Sequence, residues 1–499
     1  MLLKRKLIIL SLLILMTYIV VGCNPNDIYK LTINVQGKGE VTPFYNNSKI
    51  YKKGAEVTVE AIALEGWEFK EWRGNLGGTQ PKQTITMTDD MTITAVFTDE
   101  DSTEYSSNDY LLDNSKVKKP SEAGALQIIE HSGQKTLGDQ AGNLIQLRGM
   151  STHGLQWFPQ ILNDNAFAAL ANDWEANVIR LAMYVGEGGY ASDPQIIKKR
   201  VINGIELAKA NDMYVIVDWH VLAPGDPNAE IYSGAMDFFK EISSKYPNDP
   251  HIIYELANEP NSNNTDGPGL TNDKAGWLKI KNYAEPIVKM LRDNGNDNLV
   301  IVGTPNWSQR PDLAADNPVN DPIDNTVYTI HFYSGTHDAS AKDGSNRANA
   351  MSNVIYALEN GVAVFASEWG TSEANGNNGP YLKKADQWLR FLNANNISWV
   401  NWSLTNKNET SAAFTPFIMG KSAATDFDPG IDQVWTAKEL SLSGEYVRSR
   451  IKGIVYEPID RTKYSKVVWD FNNGTAQGFG VNADSPINVS VSDVDLCRW

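Results

Sequence analysis

The spacing of hydrophobic positions changes along the chain. Between residues 30 and 98, apolar and polar residues alternate in short runs such as Leu31-Thr32-Ile33-Asn34-Val35, Val57-Thr58-Val59-Glu60-Ala61 and Ile93-Thr94-Ala95-Val96-Phe97, with Gly-rich turns between them. A period of two buries one face of a strand, so this stretch predicts a small all-β domain. From about Ala125 to Lys452 the texture becomes short β-branched runs separated by longer amphipathic ones. The expected strands are Ile145 to Met150, Asn177 to Ala182, Tyr214 to Trp219, Ile252 to Ala257, Leu299 to Gly303, Thr326 to His331, Val362 to Ser367 and Trp399 to Ser403. Eight strands alternating with helices are the count of a (β/α)8 barrel, which makes the expected fold class α/β. The helix between the second and third strands has Asp193 to cap it, Pro194 at its first position, and Ile197, Val201, Ile205 and Ala208 at helical spacing.

The ends of the chain read differently. Lys4, Arg5 and Lys6 precede a largely apolar run from Leu7 to Val21, the length of a signal h-region and short of a membrane-spanning helix. The run closes on Val20-Val21-Gly22-Cys23, which resembles a bacterial lipobox and implies lipid attachment at Cys23. The expected organisation is therefore a lipoprotein-type signal at 1–22, a tether at 23–29, the β domain at 30–98, a linker at 99–121, the barrel at 122–460, and a linker with a further module's beginning at 461–499. The signal implies the outer face of a bacterial cell or secretion, with the membrane touched only through the lipid. The formal charge of −16 argues against a nucleic-acid partner, since a phosphate backbone is gripped by clustered Lys and Arg. A neutral ligand and a monomeric state are expected.

Barrel enzymes place their chemistry at the carboxyl ends of the strands. There the sequence offers Arg180, Asp218-Trp219-His220, Asn258-Glu259-Pro260, His331-Phe332-Tyr333, Glu368-Trp369-Gly370 and Trp402. Two glutamates, an aspartate, two histidines, an arginine, a tyrosine and tryptophans converge on one rim. The runs Arg148-Gly149-Met150-Ser151-Thr152-His153-Gly154-Leu155-Gln156-Trp157, Val178-Ile179-Arg180-Leu181, Val217-Asp218-Trp219-His220, Tyr254-Glu255-Leu256-Ala257-Asn258-Glu259-Pro260, His331-Phe332-Tyr333 and Phe365-Ala366-Ser367-Glu368-Trp369-Gly370 resemble glycoside hydrolase family 5, specifically its bacterial endoglucanases. The resemblance covers about 330 residues with the motifs in complete order.

That resemblance implies a retaining endo-β-1,4-glucanase acting on cellulose or mixed-linkage β-glucan, with the same-fold β-mannanases and a non-catalytic surface glycan-binding protein as the alternatives. Hydrolysis of a glycosidic bond needs a proton for the leaving oxygen and stabilisation of an oxocarbenium-like centre, which two carboxyl groups supply. The resemblance makes Glu259 the proton donor and base and Glu368 the nucleophile. Arg180 near Glu368 would favour its ionised form. Tyr333 would hydrogen-bond the nucleophile, Asn258 would meet the sugar 2-hydroxyl, His220 and His331 would order the network, and Trp402 would be the stacking floor. The resemblance also assigns His153, Trp157, Tyr184, Lys407 and Glu409 to substrate on the non-reducing side.

No cofactor is expected, and no metal: the histidines lie on different strands, without a His-x-x-x-His or cysteine cluster. The β domain, through Gly54-Ala55-Glu56-Val57, Gly66-Trp67-Glu68-Phe69-Lys70-Glu71-Trp72 and Ala95-Val96-Phe97, resembles internalin-type B-repeats, in which Trp67 and Trp72 serve either as core or as a sugar platform. Residues 467–482 resemble the opening of a family 17/28 carbohydrate-binding module, too short to close a sandwich.

Overall fold

The period-two stretch folds into two small sheets. We number strands along the chain as β1 (Ile28–Gln36), β2 (Gly39–Thr42), β3 (Ser48–Lys52), β4 (Glu56–Ala63), β5 (Trp67–Gly74), β6 (Lys82–Thr86) and β7 (Met91–Asp99). One sheet has the order β3-β1-β7-β5 and the other β2-β4-β6. Leu31, Ile33, Val57, Val59, Ile93 and Ala95 point into a common core with Phe97 and Trp72, as the alternation requires. Trp72 is 2 % exposed, and its indole N–H donates to the Gln80 carbonyl, so it packs as core. Trp67 packs partly buried against the same cluster.

The computed structural model describes residues 28–36, 39–42, 48–63, 67–99, 114–341, 343–417 and 422–458. The signal segment, Cys23, most of the tether and the C-terminal module start lie outside the described residues. The chain divides into two compact units, one on each side of Ser106. From Asn114, residues assigned above to a linker are tied to the second unit: Arg148 donates to Asn114 Oδ1 at 2.9 Å, and Asn177 to the Lys118 carbonyl at 3.0 Å.

The second unit is the expected barrel. A hairpin, β8 (Gln127–His131) and β9 (Gln134–Gly138), precedes eight parallel strands that close in sequence order: β10 (Arg148–Thr152), β11 (Val178–Tyr184), β12 (Tyr214–His220), β13 (Ile252–Glu255), β14 (Val300–Val302), β15 (Thr326–Tyr333), β16 (Val364–Gly370) and β17 (Trp399–Leu404). The helix after β11 spans Pro194–Ala210, with the Asp193 side chain accepting from Ile196 N–H and Ile197, Val201, Ile205 and Ala208 buried.

Alternation along each strand separates two cores. Ile179, Leu181, Val215, Val217, Tyr254, Phe332 and Trp369 face the helical layer. Val178, Tyr214, Ile216, Ile253, Ile301, Val327, Phe365 and Val400 fill the barrel interior, and Leu126 and Leu137 near the hairpin join them. Stepping two residues further along each strand from this apolar plug reaches Arg180, Asp218, Glu255, Thr329 and Trp402, then Ala182, His220 and His331, then Tyr184 and Tyr333. The period of two that buries the plug therefore aims these side chains inward above it.

β16 departs from this rule, as does the end of β17, where Ser151 pairs with Trp402 but Thr152 with Leu404. Thr329 pairs with Phe365 but His331 with Glu368, so β16 carries one more residue than β15 across that interval; the register against β17 shifts in the same place. This bulge lets adjacent residues, Ser367 and Glu368, both face the interior.

Candidate active site

At the centre lies Arg180, fully buried on β11. Its Nε donates to Glu255 Oε2 at 2.6 Å and its Nη1 to Glu368 Oε2 at 3.2 Å, while Nη2 meets Asn258 Oδ1 at 2.7 Å and Asp218 Oδ2 at 3.0 Å. Burial alone would weaken the guanidinium as a base, but Asp218, Glu255 and Glu368 override it and hold it cationic. Tyr333 donates to the other Glu368 oxygen at 2.7 Å. Glu368 thus has both carboxyl oxygens engaged by donors.

Glu259, beyond the end of β13, has a different neighbourhood. Its Oε1 lies 2.9 Å from His331 Nδ1, and its side chain keeps 13 % of its exposure. It opens onto a cavity of about 440 Å³ lined also by Trp307, Gln309, Tyr333, Thr336 and His337. Burial lifts Glu259 to about 8, opposed by Arg180 and helped by Asp218 and Glu255. Burial and the nearby Glu259 lift Glu368 to about 7, against His331, Arg180 and Tyr333. Both carboxyl groups are thus held above the ordinary carboxylate range.

A carboxyl oxygen of Glu259, one of Glu368 and a ring nitrogen of His331 lie within 4.8 Å of one another. In a retaining glycosidase the two carboxyl groups sit about 5 to 5.5 Å apart, whereas an inverting enzyme separates them by about 6.5 to 9.5 Å to seat a water. The same three groups could surround a cation by distance alone. Their atoms are already committed, to Tyr333, to Arg180 and to one another, and the guanidinium supplies the positive charge beside Glu368. We read the cluster as hydrogen-bonded and not as a metal centre.

His220 Nδ1 lies 2.6 Å from Asp218 and its Nε2 3.1 Å from Asn258 Nδ2. An amide N–H donates to an imidazole lone pair only, so Nδ1 carries the His220 proton and points it at Asp218. Burial, Arg180 and His331 keep His220 well below its ordinary basicity. Asn258 is thereby fixed, its oxygen toward Arg180 and its NH2 toward His220 and the Val221 carbonyl.

The residues expected to hold substrate form an aromatic wall continuous with His220. Tyr184 stacks on the His220 ring at 3.9 Å between centroids, and Trp402 lies 5.7 Å from it. His153 sits 4.9 Å from Trp402 and 5.6 Å from Trp157, which is 43 % exposed. Burial, with Lys407 and His220, holds His153 to about 3, so this wall is uncharged at neutral pH. Lys407 and Glu409 pair at 2.7 Å, with the carboxylate buried and the ammonium half exposed.

Sequence reasoning gave no role to Glu255, Ser367 or Trp307. Glu255 and Arg180 interrupt apolar strand runs with opposite charges, a pairing signal that the sequence does carry. Trp307 sits between Asn306 and Ser308, and all three have left-handed φ near +54° to +60°. Trp307 N–H donates to the Pro260 carbonyl and Ser308 Oγ to the Asn258 carbonyl at 2.6 Å, which ties this turn to the Asn258-Glu259-Pro260 segment. The strained turn holds a 37 % exposed indole over the cavity beside Glu259.

Comparison with known proteins agrees with this geometry. Residues 138–408 match the cellulase family, glycosyl hydrolase family 5, and residues 29–101 match the divergent InlB B-repeat domain. An endoglucanase of Halalkalibacter akibai is 69 % identical over 386 residues, covering 76 % of this chain and 48 % of the relative. The cellulase CelDZ1 of a Thermoanaerobacterium species is 66 % identical over 359 residues, 72 % of this chain and 89 % of the relative. The solved catalytic domain of alkaline cellulase K is 63 % identical with a TM-score of 0.67, covering 69 % of this chain and 98 % of that one. The chain spans about half the length of the longer endoglucanases it matches. With the family match extending across most of the barrel and its motif residues gathered around one buried arginine, this chain belongs to glycoside hydrolase family 5.

Proposed function

We infer that the protein is a retaining endo-β-1,4-glucanase that hydrolyses cellulose or mixed-linkage β-glucan by double displacement. The observation carrying this reading is the pair of carboxyl groups within 4.8 Å, one between Arg180 and Tyr333 and the other against a neutral imidazole. Glu368, ionised, attacks the anomeric carbon while Glu259 delivers its proton to the departing oxygen. Water then enters from the vacated side, Glu259 takes its proton, and the glycosyl–Glu368 bond breaks. Arg180 and Tyr333 hold the nucleophile in place, since each contacts a different oxygen. Asn258 lies between Arg180 and His220, in position for the sugar 2-hydroxyl. Trp402, Tyr184, His153 and Trp157 offer an uncharged wall to sugar faces, with Lys407 and Glu409 beside it for hydroxyls. Trp307 offers a face on the leaving-group side. The names of the relatives favour glucan over mannan.

The surface context rests on the sequence alone: a lipid on Cys23 would hold the mature chain at the outer face of the cell. Among the described residues no helix is long and apolar enough to cross a membrane. Metabolic fatty-acid labelling that marks the parent protein but not Cys23→Ser would support this anchor. For the reaction, proton NMR of the first product and a fluorosugar inactivator test the roles together. The β-anomer should appear first and Glu368 should be labelled; the α-anomer first, or a label on Glu259, would overturn the assignment.

A further inference from the structure

The Glu259 proton is governed by groups further inside the barrel. Glu255 Oε1 accepts the Ser367 hydroxyl at 2.7 Å, while Arg180 engages the same carboxylate through Nε and Nη2. Ser367 has one hydrogen to give, and a carboxylate is its strongest nearby acceptor. With the Ser367 hydrogen on Glu255, the Thr329 hydroxyl 2.5 Å away is the donor across their contact and takes up one of the two Ser367 lone pairs. The Ser367 oxygen is left as an acceptor, and His331 Nε2 lies 3.0 Å from it. An imidazole that donates from Nε2 presents a bare lone pair at Nδ1. Facing that lone pair at 2.9 Å is Glu259 Oε1, which makes a hydrogen bond there only when it carries a proton.

We propose that Ser367 is a positioning residue that, through Glu255, fixes the His331 tautomer and thereby keeps Glu259 protonated between turnovers. The inference rests on the proposed role of Glu259 as acid and base. Burial holds His331 to about 4, which removes the imidazolium as an alternative at neutral pH. Once Glu259 has given its proton to the leaving group, its carboxylate faces a lone pair and not a donor. It is then a stronger base toward the incoming water, so one tautomer serves both half-reactions.

The other titratable or charged groups facing this pair are Arg180 and Tyr184 on β11, Asp218 and His220 on β12, Glu255 on β13, Tyr333 on β15, Glu368 on β16, and His337 just after β15. Ser367→Ala replaces none of them and takes from Glu255 one of its donors, leaving both Arg180 contacts to that carboxylate in place. It removes the acceptor for Nε2–H, which frees the ring to carry its proton on Nδ1 and donate it to an ionised Glu259. The charged form of Glu259 would be stabilised and its pKa would fall.

The full chain has six histidines, few enough for nitrogen-15 histidine spectra in which His331 is assigned by its loss in a His331→Gln sample. The wild-type ring should be protonated at Nε2 and bare at Nδ1, and in Ser367→Ala the proton should move to Nδ1. The basic limb of the kcat/KM profile on soluble β-glucan should move down by about one pH unit in Ser367→Ala. Ser367→Thr, which keeps the hydroxyl, should retain both the tautomer and the limb. A wild-type ring protonated at Nδ1 or at both nitrogens, or a Ser367→Ala protein with tautomer and limb unchanged, would overturn the proposal. If Ser367→Ala fails to fold, the wild-type spectrum and Ser367→Thr still decide. The spectra do not depend on turnover, so this inference can fail while retention and labelling stand, and the reverse.

Discussion

Glu259 and Glu368 are the same side chain in the same cleft, yet their surroundings divide the labour. Glu368 is closed in, with an arginine and a tyrosine each donating to one oxygen. Glu259 faces an open cavity and a ring with no proton to offer it. Identical chemistry is thus split by neighbours: donors around a carboxyl group favour its charge, and a lone pair with burial favours its proton. On the proposed roles, what distinguishes nucleophile from acid is the count of hydrogens aimed at each.

The contrast is most directly broken by removing each carboxyl group in turn. Glu368→Gln should abolish turnover of every substrate, by more than about 10⁴-fold, because no covalent intermediate forms. Glu259→Ala should lose about 10² to 10⁴-fold on glucan but little in the first step of an aryl glycoside whose leaving group departs without a proton. Burst kinetics with that substrate would separate the two, and equal losses on both substrates would show that the roles are not divided.

Tyr333→Phe takes one donor from Glu368. A hydrogen bond to a charged group contributes about 1.5 to 3 kcal/mol, so kcat/KM should fall about ten- to a hundredfold. The acid limb should also move to higher pH, since losing a donor makes the carboxylate harder to form. In the unmodified enzyme the profile of kcat/KM should be a narrow bell. On the proposed roles, activity should fall on the acid side near 7 as Glu368 takes a proton and on the alkaline side near 8 as Glu259 loses one, the two values belonging to the pair. A limb that Tyr333→Phe leaves in place would assign it to another group.

The smallest expected effect lies on the leaving-group side. Trp307→Ala should raise KM for soluble glucan roughly three- to tenfold with kcat nearly unchanged, the size of a lost aromatic face. A large fall in kcat instead would mean that the turn positions Glu259 and not the sugar.

The eight strands were legible because strands buried on both faces read as apolar runs. Their ends were less so. The runs Val178-Ile179-Arg180-Leu181-Ala182 and Thr326 to His331 were expected to stop where the structure continues to Tyr184 and Tyr333. The inward positions turn polar above the plug, which removes the signal where the chemistry begins. Glu259 and Glu368 were legible through motifs whose order on the chain is that of the strands. Ser367 was hidden, because strict alternation turns it away from the interior once Glu368 is placed there. Trp307 was hidden as well, since nothing in Pro305-Asn306-Trp307-Ser308 announces three successive left-handed residues.

The extra residue in β16 has a consequence for how this site can vary. Because it sets the phase of the strand, a one-residue deletion between Phe365 and Trp369 could keep either the attacking carboxylate or the hydroxyl beside it in the barrel, but not both. On the proposed roles, nucleophile and proton control would therefore be inherited together, and a lineage that lost the bulge would lose the coupling in a single step.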